Sequence, residues 1–493
     1  SLNNHQVVTE KGPGFLDGTT VGVFEPHSAT MEHNTLQVPP MDKRDHARFF
    51  PISAITWPLN GNVPLAPHGL EPGAKDGKIQ KIADDLSDIN ASRVIDASGL
   101  HLLPGMIDDQ VHFREPGLTH KAEIKTEAAA AVAGGITSYM EMPNCNPLTI
   151  SEEKLIDKRD RASAKSLANY AFYLGATNDN LENIKSVDPQ LTCGVKIFMG
   201  ASTGDMLVDD QKTLEGIFSS TSLLVATHCE DTPTILAAES AAEKKWGEAI
   251  PFSEHPNIRS EEACYKSSSL AVSLAKKYGT KLHVLHLTTE KELELFEQGP
   301  LEKKQITAEA CVHHLFFSES DYAEKGALIK CNPAIKKTTD RESLKNAVLT
   351  DVIDVIATDH APHTSEEKSR PYLQAPAGLP LVQHALVSLF DWYTNGSMSV
   401  EKIVQKTSHA PAVLFQVAER GFIREGYFAD LTLVKNNDGT GLQEVLSKCA
   451  WSPFEGHSFS HQISHTWVNG NLVYENNKIN DHVMGRALRF NRS

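Results

Sequence analysis

The chain has 493 residues, 40% of them hydrophobic and 22% charged, and carries a formal net charge of −16. No basic stripe exists to track a nucleic acid, and no apolar run approaches the ~18 residues of a membrane span. The seven cysteines are scattered, without a CxxC pair. They fit a reducing compartment better than a disulfide framework or a cysteine-rich zinc module. The start, SLNNHQVVTEKGPGF, lacks a basic segment followed by an apolar one, so no secretory signal is expected and the expected location is cytoplasmic.

In chain order, residues 1–50 are polar, with a Pro pair and no sustained periodicity; an irregular N-terminal extension is expected. KDGKIQKI and SRVIDASGLHLLPG then read as short strands joined by Gly-containing turns. From residue 104, eight β-rich runs follow: GMIDDQVHF, ITSYMEMP, NYAFYLG, CGVKIFMG, LLVATHCE, KLHVLHLT, ITAEACVHHL and DVIDVIATDH. Between most of them lie Ala-, Lys- and Glu-rich segments that end at Gly, as helices often do. Eight strands alternating with helices predict an α/β fold with a (β/α)8 TIM-type barrel over 104–421. Near the C-terminus, YFADLTLV and HTWVNGNLVYENN alternate like strands, and Asn469-Gly470 is a hairpin signal. A small β-sandwich unit is expected from 51–103 plus 422–475, leaving 476–493 as a C-terminal tail.

Barrel enzymes place working residues at the C-terminal ends of their strands. Those ends offer Gln110, His112 and Arg114 (first), Asn144 (second), Lys196 (fourth), His228 (fifth), His286 (sixth), and Asp359 with His360 (eighth). Imidazoles with a carboxylate on one rim suit a divalent metal such as zinc. Strand alternation puts Asp108, Gln110 and His112 on one face, and Ile107, Asp109 and Val111 on the other. A lysine in the apolar run GVKIFMG either reaches solvent or a carboxylate, or is buried with a lowered pKa. In the second case its amine can react with CO2 to give a carbamate.

The order DxxVHFREPG, MPN, lysine in strand four, His in strands five and six, and ATDHAPH in strand eight resembles the amidohydrolase superfamily. Within it the match is to the dihydroorotases of long bacterial-style type, over about residues 75 to 475. The resemblance implies one or two zinc ions per chain. His112 and Asp359 would hold one, His228 and His286 the other, and a carbamate on Lys196 would bridge them. It assigns Arg114 and Asn144 to a substrate carboxylate, with Asn332 and His363 assisting and the backbone near Ala377 and Gly378 meeting the ring amide. Asp359 would be both ligand and catalytic base. The implied reaction interconverts N-carbamoyl-L-aspartate and L-dihydroorotate in pyrimidine synthesis. A homodimer is expected, with an aspartate carbamoyltransferase as a candidate partner. Related cyclic amidases acting on dihydropyrimidines, hydantoin or allantoin, and an inactive assembly partner, are the alternatives.

Gln110 departs from the pattern, which usually has His there. The first metal is then held loosely or is missing, or Gln110 ligates through its oxygen or a water, or activity is lost. His313-His314 read as packing or supporting groups on strand seven, His101 and His255 as surface residues, and 364–376 as a candidate lid.

Overall fold

The computed structural model describes residues 5–9, 54–58, 77–83, 93–200, 206–439 and 444–492. Strands β1 (His5–Thr9), β2 (Ala54–Pro58), β3 (Lys81–Ala83) and β4 (Arg93–Asp96) form one sheet in the order β3-β2-β1-β4. The stretch 1–50, read as irregular, therefore contributes a strand, which pairs antiparallel with β2 and parallel with β4. β5 (His101–Pro104) belongs to a second sheet, described below with the C-terminal strands.

The barrel follows. Its strands are β6 (Met106–Val111), β7 (Ile136–Glu141), β8 (Asn169–Phe172) continued by β9 (Leu174–Gly175), β10 (Val195–Phe198), β11 (Val225–His228), β12 (Leu282–Val284), β13 (Ile306–Cys311) and β14 (Val355–Ala357). All eight runs read from the sequence lie on these strands. The six that run from β9 to β14 pair side by side in parallel, and β6, β7 and β8 form a parallel trio. The ring closes where Val111 bridges His360 and the His112 amide donates to the His360 carbonyl at 2.7 Å. Nearly every residue of these strands is buried, because helices cover their outer side and side chains fill the inside.

The intervening helices carry ordinary stop and start chemistry. In Glu261–Tyr278, Ser260 caps the first turn and Glu261 and Glu262 sit at its positive end. Lys276 and Lys277 sit at the negative end, and Gly279 closes it at φ 74°. The Ala run at 128–131 lies in the helix Ile124–Ala133 and packs against the barrel. No helix among the described residues is long and apolar enough to cross a membrane.

β15 (Leu431–Asn436), β16 (His461–Val468), β17 (Asn471–Glu475) and β18 (Lys478–Ile479) complete the second sheet, in the order β18-β17-β16-β15-β5. Asn469 (φ 50°) and Gly470 (φ 74°) form the two-residue turn between β16 and β17. The described part of the expected tail 476–493, residues 476–492, is not free. Beyond β18 the chain crosses the N-terminal ends of the barrel strands, where Gly485 and Leu488 donate to Ser166 and Tyr170. Leu488 and Phe490 join Ile107, Met140, Ala171 and Phe415 in the inner apolar cluster.

Five side chains differ from expectation. Asp109 does not face away from the barrel. The β6–β7 register is irregular between Asp108 and Val111, and Asp109 comes within 3.2 Å of His283 on β12. His255 is fully buried, with its nitrogens 2.7 Å from the Tyr372 hydroxyl and the Cys331 carbonyl. His101 is half-buried against Phe390 and Tyr393. His313 and His314 lie in the short helix Val312–Phe316 that follows strand seven, not on the strand, and both are buried.

Candidate active site

At the C-terminal ends of the strands a cleft of about 500 Å³, counting its open mouth, is lined by Gln110, His112, Arg114, Asn144, Lys196, Phe198, His228, His286, Asn332, Asp359, Ala361, Ala377 and Gly378. Apart from His363, every residue singled out for metal, substrate or catalysis lines it. His363 stands directly behind Arg114, with its Nε2 3.0 Å from the guanidinium.

The fold delivers these groups from strand ends that close side by side, and the backbone is bent to aim them. Arg114 (φ 67°), His286 (φ 41°) and Asp359 (φ 50°) all take the left-handed conformation without being glycine. Such positions persist where the surrounding structure over-determines them, and they collect at functional sites. Gly378 is required for a related reason: at φ 139° an added Cβ would lie 2.4 Å from the Ala361 carbonyl.

On one side of the cleft, His228 Nδ1 and His286 Nε2 face each other at 3.0 Å. His228 Nε2 donates to Glu230 at 3.0 Å, and Glu230 is held in turn by Arg259. With its proton on Nε2, His228 turns a lone pair on Nδ1 toward His286. Burial, the largest influence on each, lowers the pKa of both imidazoles, so both are neutral near pH 7. Two neutral imidazoles converging from adjacent strands are ordinary metal-ligand chemistry. His286 Nδ1, buried and without a hydrogen-bond partner, leaves this ring free to turn toward a cation.

On the other side, His112 Nε2 lies 3.1 Å from Asp359 Oδ1, and its Nδ1 lies 2.7 Å from Oδ1 of the Asn144 side chain. Gln110 does not offer its oxygen there. Its Nε2 donates to the same Asp359 Oδ1 at 3.0 Å, and its Oε1 is turned toward Cys311 Sγ at 3.9 Å. Between the two sides stands Lys196, 1% exposed, its ammonium 4.6 Å from the centre of the Phe198 ring. Burial lowers its pKa to about 8, so about a tenth is free amine at pH 7, far more than for an exposed lysine.

Arg114 is buried, and its Nε donates to the Pro362 carbonyl at 3.2 Å. Among the described residues no carboxylate pairs with it. Neighbouring Glu115 turns away to Lys165 and to the Ile124 amide. A guanidinium buried at a cleft wall without an anion is preorganised to receive one. Asn332 Oδ1 is likewise buried without a partner.

Four supporting residues escaped the sequence reading. Glu230 and Arg259 fix His228. Lys121 reaches His363 Nδ1 at 2.9 Å and Glu367 at 3.0 Å. Lys368, buried, donates to the carbonyls of Lys330, Pro376 and Gly378, pinning the 364–376 segment over the rim. Only Glu230 left a local signal, since it follows His228 by two residues, just past the end of β11. The stretch GASTG, 200–204, lies outside the described residues except for Gly200.

This fold and this ring of imidazoles, lysine and carboxylate define a hydrolase barrel of the kind that attacks amide bonds. A model of the amidohydrolase family matches residues 101–473, and the chain belongs to that family. Among curated relatives, an allantoinase of Bacillus velezensis is 32% identical over 410 residues, covering 81% of this chain and 89% of its own. A dihydroorotase of Halobacterium salinarum is 32% identical over 394 residues, covering 78% and 90%. Among solved structures, the L-hydantoinase (dihydropyrimidinase) of Arthrobacter aurescens superposes with a TM-score of 0.80 at 24% identity, covering 88% of this chain and 96% of its own. That likeness shows the fold, a (β/α)8 barrel flanked by a β-sandwich built from both chain ends.

Proposed function

We propose that this chain is a zinc-dependent cyclic amidase that interconverts N-carbamoyl-L-aspartate and L-dihydroorotate, a step of pyrimidine synthesis. The observation that carries the reading is Arg114, a buried guanidinium on the cleft wall with no carboxylate partner among the described residues. Dihydroorotate brings one carboxylate and carbamoyl aspartate two, whereas allantoin, hydantoin and dihydrouracil bring none. Names among the relatives support both classes, so the discrimination rests on this residue.

In this reading His228 and His286, with His112 and Asp359 opposite, would hold zinc, and Lys196, carbamylated by CO2 with release of a proton to solvent, would add a carboxylate ligand. A divalent metal there supplies Lewis-acid polarisation of the ring carbonyl and a water acidified toward neutral pH. The chain's own groups do the rest. Arg114 grips the substrate carboxylate, with Asn144, Asn332 and His363 alongside. The backbone at Ala377 and Gly378 meets the ring amide. Asp359 Oδ1 is held by Gln110 and His112. Its carboxylate takes the proton of the attacking water and returns it to the departing ring nitrogen. A homodimer and contact with an aspartate carbamoyltransferase belong to the same proposal.

The test is a substrate panel assayed with wild type and Arg114→Ala. Wild type is expected to turn over dihydroorotate and carbamoyl aspartate. The variant should lose roughly 10- to 100-fold in kcat/KM, the worth of a charge-assisted contact. Preferential hydrolysis of allantoin or hydantoin by wild type overturns the assignment.

A further inference from the structure

Beneath the cleft floor, inside the barrel, lies a second group of donors that the proposed reaction does not use. Asp109 on β6, His283 on β12 and Glu309 on β13 are each fully buried, and their ligand atoms lie within 4.8 Å of one another. His283 Nε2 is 3.2 Å from Asp109 Oδ2 and 3.7 Å from Glu309 Oε2. Neither approach has hydrogen-bond geometry. Both Asp109 carboxylate oxygens, His283 Nε2 and Glu309 Oε2 are buried without a hydrogen-bond partner. Buried polar atoms are nearly always hydrogen-bonded, and these four have only the ion-pair approaches of His283 to the two carboxylates, which leaves room for a cation among them.

The remaining atoms of the cluster are committed elsewhere. Thr307 Oγ1 donates to the Leu282 carbonyl and so accepts from His283 Nδ1 at 2.8 Å, which turns Nε2 to the carboxylates. Burial lowers the pKa of this imidazole, but Asp109 and Glu309 outweigh that and raise it to about 9, so an ion bound here displaces the Nε2 proton. Glu309 Oε1 accepts from the His286 amide at 2.9 Å, which leaves Oε2 directed inward. Tetrahedral zinc with bonds of ~2.0–2.1 Å separates neighbouring ligand atoms by ~3.3 Å. The two His283 distances straddle that value. A divalent cation also balances two carboxylates in a fully dry interior, where an unpaired charge is most costly.

We propose that Asp109, His283 and Glu309 hold a divalent metal ion of zinc type, separate from the metal site in the cleft. With both oxygens free, Asp109 can supply a fourth ligand atom and close the coordination. The ion is structural: it ties strands one, six and seven together, and through Glu309 it steadies the backbone that carries His286.

Zinc-loaded protein, crystallised and measured on both sides of the zinc absorption edge, should give an anomalous peak about 2 Å from His283 Nε2, apart from any peak beside His228 and His286. A map with peaks only in the cleft, or none, overturns the proposal. Metal quantitation gives a second readout. Asp109→Asn combined with Glu309→Gln removes both anionic ligands, and the folded variant should carry one zinc equivalent per chain fewer than wild type; an unchanged count overturns the proposal. If that variant does not fold, the anomalous map decides alone. Neither measurement depends on which substrate the cleft accepts.

Discussion

Asp359 is gripped at one oxygen by two neighbours, and one of them, Gln110, stands where a second imidazole would be the stronger ligand. Its amide donates to Asp359 instead of facing the cleft with its oxygen. Gln110→His is therefore expected to tighten zinc binding at the cleft by ten-fold or more, read by equilibrium dialysis; an unchanged affinity would mean that the amide already ligates. Glu230 makes a different prediction. Burial pushes its pKa up from the model-peptide value of 4.5, but Arg259 and His228 outweigh that and bring it down to about 2. A depressed carboxylate adds stability above its unfolded pKa and gives it up as pH falls through the folded one. The contribution is roughly 3 kcal/mol at neutral pH. In metal-free protein, Glu230→Gln should flatten the loss of stability between pH 4.5 and pH 2 seen in urea melts; an equal slope in both proteins would discount the ion pair.

At the scale of elements, the rim is shaped by buried lysines that donate to main-chain carbonyls. Lys368 uses its ammonium on three carbonyls, and Lys330 donates to Tyr372 and Ala375 at 2.6 and 2.7 Å. The segment 364–376, read as a candidate lid, is thus stapled down, with Tyr372 bonded to His255 beneath it. Lys368→Met keeps the volume and removes the donors. It should raise KM by about ten-fold, with a smaller effect on kcat, because the segment positions Ala377 and Gly378 and not the reacting atoms. A kcat loss with KM unchanged would place Lys368 in the chemistry instead.

Across the whole molecule, barrel and β-sandwich are locked by one buried polar network. Asp430 accepts from Asn169 at 3.2 Å, from the Asn469 amide at 2.7 Å, and from Arg420. Asn469 in turn donates to Asn169 at 2.8 Å. Asp430→Ala leaves Arg420 buried without its anion, and should cost about 3–5 kcal/mol in denaturant melts. A loss under 1 kcal/mol would show that the two units cohere through apolar packing alone.

The sequence by itself determined the barrel, its eight strands, the hairpin at Asn469-Gly470 and nearly every side chain of the cleft. These are local signals: short β-rich runs, glycine stops, and polar residues at strand ends that barrel geometry brings together. Only the tertiary structure decided the rest. Asp109 turns inward on the side of Ile107, and the irregular pairing after Asp108 lets Gln110 and His112 face the cleft as well. Folding buries His255, seats the C-terminal residues under the barrel, and sets Glu230 behind His228. It also turns Glu115 away from Arg114, leaving that guanidinium without a carboxylate among the described residues. Each of these depends on partners far apart in the chain, and no local pattern encodes which of them will meet.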